Sequence, residues 1–152
     1  AVVDEAIHWM TTLNDRASLL MLECGATACT DVTGFGLIGH AFEMARGAGV
    51  SIRIDIDAVP VIEAVHGLIN DGMVPAGCYR NRDYFSSLLA TGPRFSDAGL
   101  LPLFDPQTSG GLLIALSPAD GERFESEAAI RGVPAARVGE VINLAEQFVM
   151  VR

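Results

Sequence analysis

The sequence predicts a layered α/β or α+β fold built around one mixed β-sheet. Helical stretches alternate irregularly with short β-compatible segments along the chain, and this pattern is typical of layered domains. The chain has 152 residues, of which 50% are hydrophobic. This composition is enough for a single compact domain with a substantial core, so residues 1–152 are interpreted as one domain.

The first third of the chain predicts two helices with a strand between them. Apolar residues recur every three or four positions over residues 2–24, which predicts one long helix that ends at Gly25. ATACTDV, residues 26–32, consists of small, β-compatible residues and predicts a short strand. Helical periodicity returns over residues 35–46, and the glycines that follow are expected to end this second helix.

The middle of the chain contains the clearest strand pattern. VSIRIDIDAVP, residues 50–60, alternates strictly between apolar and polar side chains, which predicts a strand with one buried and one wet face. Pro60 is expected to open a helix at about residues 61–70, ended by Asp71-Gly72. Residues 72–111 are rich in Gly, Pro, Asn, Asp and Ser and predict irregular structure, and long loops of this kind are usually functional.

The last third predicts one helix among three strands. LLIAL, residues 112–116, reads as a buried strand. PADGERFESEAAIRG, residues 118–132, reads as a helix whose inward-facing residues are Ala119, Phe124 and Ala128. RVGEVI and QFVMV follow it and predict two closing strands.

Composition argues against several kinds of function. The formal net charge of −9 argues against a nucleic-acid partner, because phosphate backbones are held by clustered Lys and Arg. The longest apolar runs are far shorter than the ~20 residues that span a bilayer. Three cysteines without a C-x-x-C pair are typical of reduced thiols in a cytosolic protein. The chain has no initiator Met and opens directly in a helical pattern, so we expect it to be a fragment of a longer protein.

The stretch TDVTGFGLIGH, residues 30–40, supports more than one functional interpretation. Gly34, Gly36 and Gly39 spell G-x-G-x-x-G between a predicted strand and a predicted helix, which is the spacing of a dinucleotide-binding turn. Asp31 would repel a pyrophosphate at that turn unless a cation lay between them. A carboxylate at a strand end, next to a glycine turn and a helix N-terminus, can share Mg²⁺ with a polyphosphate.

A purely structural interpretation competes with both functional ones. Asp31 or Thr33 can cap the following helix, a role that is common at such positions and contributes ~1 kcal/mol. Spacing alone favours the cap. Composition does not decide between a cap and a metal–phosphate site.

Three segments together resemble one known family. CTDVTGFGLIGHAFEMARGAGVSIRIDIDAVP (29–60), VPAGCYRNRDYF (74–85) and FDPQTSGGLLIAL (104–116) are similar, in order, to the carboxy-terminal half of selenophosphate synthetase, also called selenide, water dikinase. That family belongs to a wider aminoimidazole-ribonucleotide-synthetase-like group, whose members pair two α/β domains. The resemblance implies that this chain is the second domain, a three-layer α/β/α domain with a mixed sheet.

The resemblance also implies a reaction and a site. The family makes monoselenophosphate from selenide, ATP and water, releases AMP and phosphate, and requires Mg²⁺. The resemblance implies that Asp31 is a Mg²⁺ ligand at the nucleotide phosphates. In this family the amino-terminal domain carries the nucleophilic Cys or Sec and the Lys. It also supplies most of the ATP contacts and the homodimer contacts. We therefore expect no catalytic residue in this chain, no activity from it alone, and a cytoplasmic homodimer for the full-length protein.

Five residues are candidate nucleotide contacts, and each has a structural alternative. Asn81, flanked by Arg80 and Arg82, can place donors on a phosphate or on the partner domain, or it can lie in a solvated loop. Residues 108–111 can approach substrate, or form only a turn before a strand. The glycines of the first motif let the backbone pass close to another surface, where a Cβ would be in the way. The five candidates are Gly34, Gly36, Asn81, Thr108 and Ser109.

Three further residues are expected to be structural. Cys29 lies two residues before Asp31 and is interpreted as a small buried hydrophobe, not as a substitute nucleophile. Cys78 departs from the family pattern and is expected to be incidental. His40 is interpreted as a packed or capped histidine and not as a ligand. A non-catalytic binding or regulatory domain that kept the fold remains the alternative to an enzyme part.

Overall fold

The computed structural model describes residues 2–92 and 95–152. The helices are α1 (Val2–Thr11), α2 (Asp15–Glu23), α3 (Gly36–Ala48), α4 (Val65–Asn70), α5 (Ala76–Phe85), α6 (Asp97–Leu100) and α7 (Pro118–Arg131). The strands are β1 (Ala28–Asp31), β2 (Val50–Ile54), β3 (Leu89–Thr91), β4 (Leu112–Ala115), β5 (Gly139–Asn143) and β6 (Val149–Val151). Short 3-10 turns span Ile56–Ala58, Ser86–Leu88 and Leu101–Phe104.

The described strands form two sheets. Four of them make a mixed sheet in the order β3-β6-β2-β5, in which β6 runs parallel to β2 and β3, and β5 runs antiparallel to β2. β1 pairs only with β4, antiparallel, with Asp31 opposite Leu112. The α/β class and the mixed sheet are confirmed, but the expectation of one sheet is wrong. Side-chain periodicity indicates that a segment is a strand and carries no information about which strands pair.

Two hydrophobic clusters form the core. The larger one lies between α3, α5, the four-stranded sheet and the turn at Leu101–Phe104, and its buried members include Ile38, Phe42, Ile54, Phe104 and Val149. The smaller one lies between α2 and α7 and consists of Leu20, Cys24, Phe124, Ala128 and Val133. Helix α3 contacts strands of both sheets, so it joins the two halves of the domain.

The predicted helix over residues 2–24 is broken in two. α1 ends at Thr11 and α2 begins at Asp15. The hydroxyl of Thr12 donates to the carbonyl oxygen of His8 at 2.7 Å, and Asn14 turns its amide away to the loop before β4. Polar side chains that bond to the backbone in this way compete with helix propagation. The predicted stop is confirmed, because Gly25 follows α2 with φ +76°.

The strand predicted over residues 50–60 is shorter than expected. β2 ends at Ile54 and a 3-10 turn follows at Ile56–Ala58. Its polar face is also not uniformly wet, since Ser51 is fully buried and its hydroxyl donates to the carbonyl oxygen of Gln147 at 2.8 Å. The later chain therefore covers a face that the alternation assigned to solvent. The helix predicted at 61–70 is reduced to α4.

Residues 72–111 are more regular than predicted. They contain α5, β3 and α6, while Pro93 and Arg94 lie outside the described residues. Pro75 occupies the N-cap position of α5 with φ −60° and ψ 140°. The Pro and Gly residues of this stretch predict a loop, but Pro75 and Gly77 lie at the start of a helix.

The carboxy-terminal elements largely follow the prediction. β4 is half-buried and not buried, because it pairs only with β1 among the described strands. In α7, Phe124 and Ala128 are buried as predicted, whereas Ala119 in the first turn is exposed. Both closing strands, β5 and β6, are confirmed. None of the described helices is long and apolar enough to cross a bilayer.

Candidate functional site

Asp31 is the last residue of β1 and its side chain is exposed. Its backbone is held in register opposite Leu112, and the next N–H along the chain, that of Val32, donates to the carbonyl oxygen of Gly111 at 2.9 Å. β1 thus presents the carboxylate at a fixed place, immediately before the turn Thr33-Gly34-Phe35 that leads into α3.

Neither Asp31 nor Thr33 caps α3. The N-cap residue of α3 is Phe35, and no side chain makes a capping hydrogen bond there. The Gly36 N–H donates instead to the backbone carbonyl of Thr33 at 3.0 Å. The Thr33 hydroxyl lies 3.1 Å from Nε2 of His40. The capping interpretation of Asp31 and Thr33 is therefore wrong, and the Asp31 carboxylate is not committed to the helix end.

A second loop, residues 105–111, runs beside this turn. The Gln107 N–H donates to the carbonyl oxygen of Thr33 at 3.1 Å, and the Gly110 N–H donates to that of Val32 at 3.1 Å. A Cβ on Gly110 would overlap the Val32 carbonyl oxygen, so glycine is required for this approach. The 105–111 loop is consequently bonded along its length to the segment that carries Asp31.

The same loop contains an unusual backbone conformation. Ser109 has φ 126°, outside the regions that residues with a side chain normally adopt. Thr108 and Ser109 are both exposed. Asn14, at the start of α2, donates from Nδ2 to the carbonyl oxygen of Gly110 at 3.0 Å. The loop is thus held from two sides while its central residues face solvent.

The glycine spacing has an internal explanation. Gly36 has φ +70°, and a Cβ there would lie 2.8 Å from the carbonyl carbon of Phe104. At Gly39 a Cβ would lie 2.8 Å from the ring of Phe85. At Gly34 a Cβ would meet nothing within 4 Å in the described part of the chain. The expected close approach is confirmed at Gly36, where the backbone of Phe104 occupies the space, and the role of Gly34 stays a prediction.

Asn81 connects the two loops. It lies on α5 and is half-buried, so the solvated-loop alternative is wrong. Its Nδ2 atom donates to the carbonyl oxygens of Gly34 at 2.9 Å and Phe104 at 3.0 Å. Both amide hydrogens are therefore used within the domain, and they hold the glycine turn against the segment that leads into the 105–111 loop.

The arginines on either side of Asn81 behave differently. Arg82 pairs with Asp83 at 2.7 Å and lies over the ring of Tyr79, 5.1 Å from its centroid. The hydrogen bonds that Arg82 donates to the Asp83 carboxylate are the main reason why the pKa of Arg82 is raised. Arg80 is exposed.

Asp105 is a candidate that the sequence analysis did not single out. Its carboxylate is half-buried and accepts a hydrogen bond from Nε2 of Gln107 at 2.7 Å. Burial raises the pKa of Asp105 above its ordinary value. The DPQTSGG segment was recognised as a whole, and no pattern within it indicates that its first carboxylate is half-buried behind the glycine turn.

The two cysteines near the site differ from expectation in one case. Cys29 is exposed, so its interpretation as a buried hydrophobe is wrong. Cys29 belongs to neither buried hydrophobic cluster of the described residues. Lost hydration and, to a smaller extent, the negative charge of Asp31 raise the pKa of the Cys29 thiol, which disfavours a thiolate nucleophile. Cys78 is buried, its thiol donates to the carbonyl oxygen of Leu101, and burial raises its pKa to about 11.

His40 is packed, as predicted. It is buried on α3 and contacts the Phe35 ring, 5.6 Å between centroids. Nε2 lies beside the Thr33 hydroxyl and Nδ1 lies 3.8 Å from Glu43. These contacts fix the turn that follows Asp31.

The donor set of the described residues limits what this chain can bind. No three His, Cys, Asp or Glu side chains in residues 2–92 and 95–152 form a group able to hold a metal ion. Mg²⁺ is commonly bound by only one or two protein carboxylates, with phosphate oxygens and waters as the other ligands. The single exposed carboxylate of Asp31 fits that kind of site and does not fit an all-protein metal cage.

Comparison with known proteins gives one family and a consistent set of relatives. The family model described as AIR synthase related protein, C-terminal domain, matches residues 5–152. Selenide, water dikinase from Geobacter metallireducens is 58% identical over 99% of this chain and 43% of its own length. The proteins of the same name from Trichlorobacter lovleyi and Clostridium botulinum are 53% and 36% identical, over 97% and 99% of this chain and 42% and 44% of theirs.

One solved structure supports the fold alone. Thiamine-monophosphate kinase from Stenotrophomonas maltophilia superposes with a TM-score of 0.55 and 20% identity, over 83% of this chain and 31% of that one. The chain spans less than half the length of the relatives that it matches. The similarity therefore extends over nearly all of this chain but over only part of each relative.

Proposed function

This chain belongs to the family of AIR synthase related proteins, C-terminal domain, and from that premise we propose that it is the carboxy-terminal domain of a selenophosphate synthetase. The complete protein would make monoselenophosphate from selenide, ATP and water, and release AMP and phosphate. The observation that carries the proposal is the 58% identity to a selenide, water dikinase over 99% of the chain. The role of residues 1–152 as one domain of a longer enzyme is part of the same proposal.

In this proposal Asp31 is a Mg²⁺ ligand at the ATP phosphates. Its support is geometric: the carboxylate is exposed, is fixed by the pairing of β1 with β4, and precedes the turn into the N-terminus of α3. Helix N-termini favour anions such as phosphates. Phosphoryl transfer depends on positioning and on neutralisation of charge by metal ions. Asp31 would supply one carboxylate, and phosphates, waters and the amino-terminal domain would complete the site.

The neighbouring loops would shape the nucleotide site. Gly34, Thr108 and Ser109 are exposed and would lie near the phosphates, and Gly36 allows the turn to lie against Phe104. Asn81 would act as a positioning residue and not as a direct phosphate donor, because both of its amide hydrogens bond to backbone carbonyls.

The isolated chain would be inactive. Its net charge of −9 repels ATP at long range, and the nucleophile and most ATP contacts would lie in the amino-terminal domain. That domain would also form the contacts of a homodimer, and the enzyme would work in the cytoplasm. Release of AMP from ATP and selenide by the 152 residues alone would contradict this part of the proposal.

The decisive experiment is the substitution Asp31→Asn in the complete protein. Loss of the metal ligand removes several kcal/mol of charge stabilisation, so AMP release should fall by about 100-fold or more. Asp71→Asn, an equal charge change at the exposed end of α4, is the matched control and should retain activity. Circular dichroism checks that both variants fold. Wild-type turnover in Asp31→Asn would remove Asp31 from the mechanism.

A further inference from the structure

Helix α1 places an amphipathic face in solvent. No residue of α1 is buried. At 100° per residue its polar side chains gather on one side, and its apolar ones gather on the other. The apolar face of α1 is made of Val2, Val3, Ala6, Ile7, Trp9 and Met10. A helix with this pattern normally packs its apolar side against another element.

Neither core cluster of the described residues includes a side chain of α1. The smaller core cluster is already closed between α2 and α7, where Leu20 packs with Phe124 and Ala128. The large apolar side chains of this face are exposed, including those of Val3, Ile7, Trp9 and Met10. Contiguous exposed apolar surface of this kind marks interaction sites, and Trp and Met are enriched in their centres.

Hydrogen bonds hold the end of α1 and the chain that follows it. Two hydroxyls at its end, those of Thr11 and Thr12, donate to carbonyl oxygens one turn back at 2.8 and 2.7 Å. Two residues later Asn14 donates to the carbonyl oxygen of Gly110. α1 therefore ends at a defined residue, and the chain after it is anchored by Asn14 to the 105–111 loop.

We propose that the apolar face of α1 is the surface on which the preceding domain of the same polypeptide docks. This inference rests on the proposed function. This chain matches only 43% of the Geobacter metallireducens protein. The family model that matches this chain describes a C-terminal domain, so the larger part of such a protein precedes the matched region. α1 is the first described helix of the matched region. A covalently attached partner has a high effective concentration, so one helix face is enough to hold it.

A second copy of this chain is the less favourable occupant. Two chains of net charge −9 repel each other. The chemistry therefore favours an apolar surface belonging to the preceding domain.

The test is hydroxyl-radical footprinting of the complete protein, with oxidation read residue by residue from peptide masses. In the domain as described, Met10 is 45% exposed and Met73 is 64% exposed, so an uncovered α1 would give similar oxidation rates. Docking that buries Met10 to below about a tenth of its surface should slow its oxidation about fivefold relative to Met73, since oxidation follows exposure. Equal rates in the wild-type protein would overturn the proposal.

Matched variants separate docking from other causes of protection. Ile7→Glu puts a charge on the apolar face of α1 and should restore fast oxidation of Met10 in the complete protein. Ile130→Glu makes the same change at an exposed position of α7 and should leave Met10 protected. If Ile7→Glu prevents folding, Ile7→Ala serves as the milder variant. An oxidation rate of Met10 that neither Ile7→Glu nor Ile7→Ala raises would overturn the proposal.

Two further readings identify the occupant and isolate the proposed function. Protection of Met10 that is lost on dilution would assign the face to a second copy and overturn the proposal. Selenide-dependent AMP release is measured on the same preparation. An active enzyme with unprotected Met10 overturns the docking surface alone. A protein with protected Met10 but without that activity overturns the proposed function and supports the docking surface.

Discussion

The side-chain amide nitrogen of Asn81 lies 2.9 Å from the carbonyl oxygen of Gly34. Through this bond a residue of α5 holds a turn almost fifty positions earlier in the chain, only three residues after Asp31. A second bond from the same atom to the carbonyl oxygen of Phe104 ties that turn to the segment leading into the 105–111 loop. The geometry around Asp31 thus depends on a residue that need not touch the ligand.

Asn81→Ala should destabilise the domain by about 1–3 kcal/mol, because it leaves two backbone carbonyls without their donor. Urea denaturation followed by circular dichroism measures the change. The control Asn70→Ala, at the exposed end of α4, should change stability by less than about 0.5 kcal/mol. Equal effects of the two substitutions would show that the bonds of Asn81 contribute nothing to stability.

Gly36→Ala should be strongly destabilising. The residue has φ +70°, which costs a side-chain-bearing residue about 1–2 kcal/mol, and the new Cβ would press on the backbone of Phe104 at a further cost of about 1–3 kcal/mol. The control position is Gly47, which lies near the end of α3 with open space around it. Thermal unfolding of Gly36→Ala and Gly47→Ala measures the contrast. Gly47→Ala should be stabilising by about 0.5–1 kcal/mol. A neutral Gly36→Ala would contradict the observed packing.

Stability should carry a pH-dependent contribution from Asp105. Burial raises its pKa in the folded state above the ordinary 3.8, so between the two values the folded protein holds a proton that the unfolded chain has lost. Stability from this group therefore falls as pH rises from about 4 through the raised value. In urea titrations from pH 3 to 7, the stability of wild type minus that of Asp105→Asn should decrease with pH and then level off. A difference that increases with pH would reverse the assigned direction.

One thiol should react in the native domain. Cys29 is exposed, whereas Cys24 and Cys78 are buried, and a pKa of about 11 keeps Cys78 protonated at neutral pH. A chromogenic disulfide reagent at pH 8 should titrate one thiol in native protein and three in denaturant. Cys29→Ser should abolish the native reaction. Fast modification of Cys78 would show that the helix carrying it opens readily.

Much of the architecture could be predicted because it depends on local periodicity. The short strand before Asp31, the helix after it, α7 and both closing strands follow from residue spacing and from glycine or proline at their ends. The break after Thr11 could not be predicted, since it involves a bond from Asn14 to Gly110. The burial of Ser51 likewise depends on a segment near Gln147, about a hundred positions away.

The candidate site divides in the same way. Asp31 was identified by its place in a motif, and its role remains a prediction. The second loop was recognised only as a segment of the family pattern. That its backbone bonds to Val32 and Thr33, and that Asp105 is half-buried, are properties of the assembled tertiary structure. Sequence spacing carries no record of such distant contacts.

The pairing of Asp31 with Leu112 joins residues separated by about eighty positions. During synthesis the carboxylate emerges from the ribosome long before the strand that fixes it. A nascent chain stopped ahead of that strand can form α3 but cannot yet hold Asp31 in place. Pairing of β1 with β4 therefore has to wait until residues 112–115 have been made.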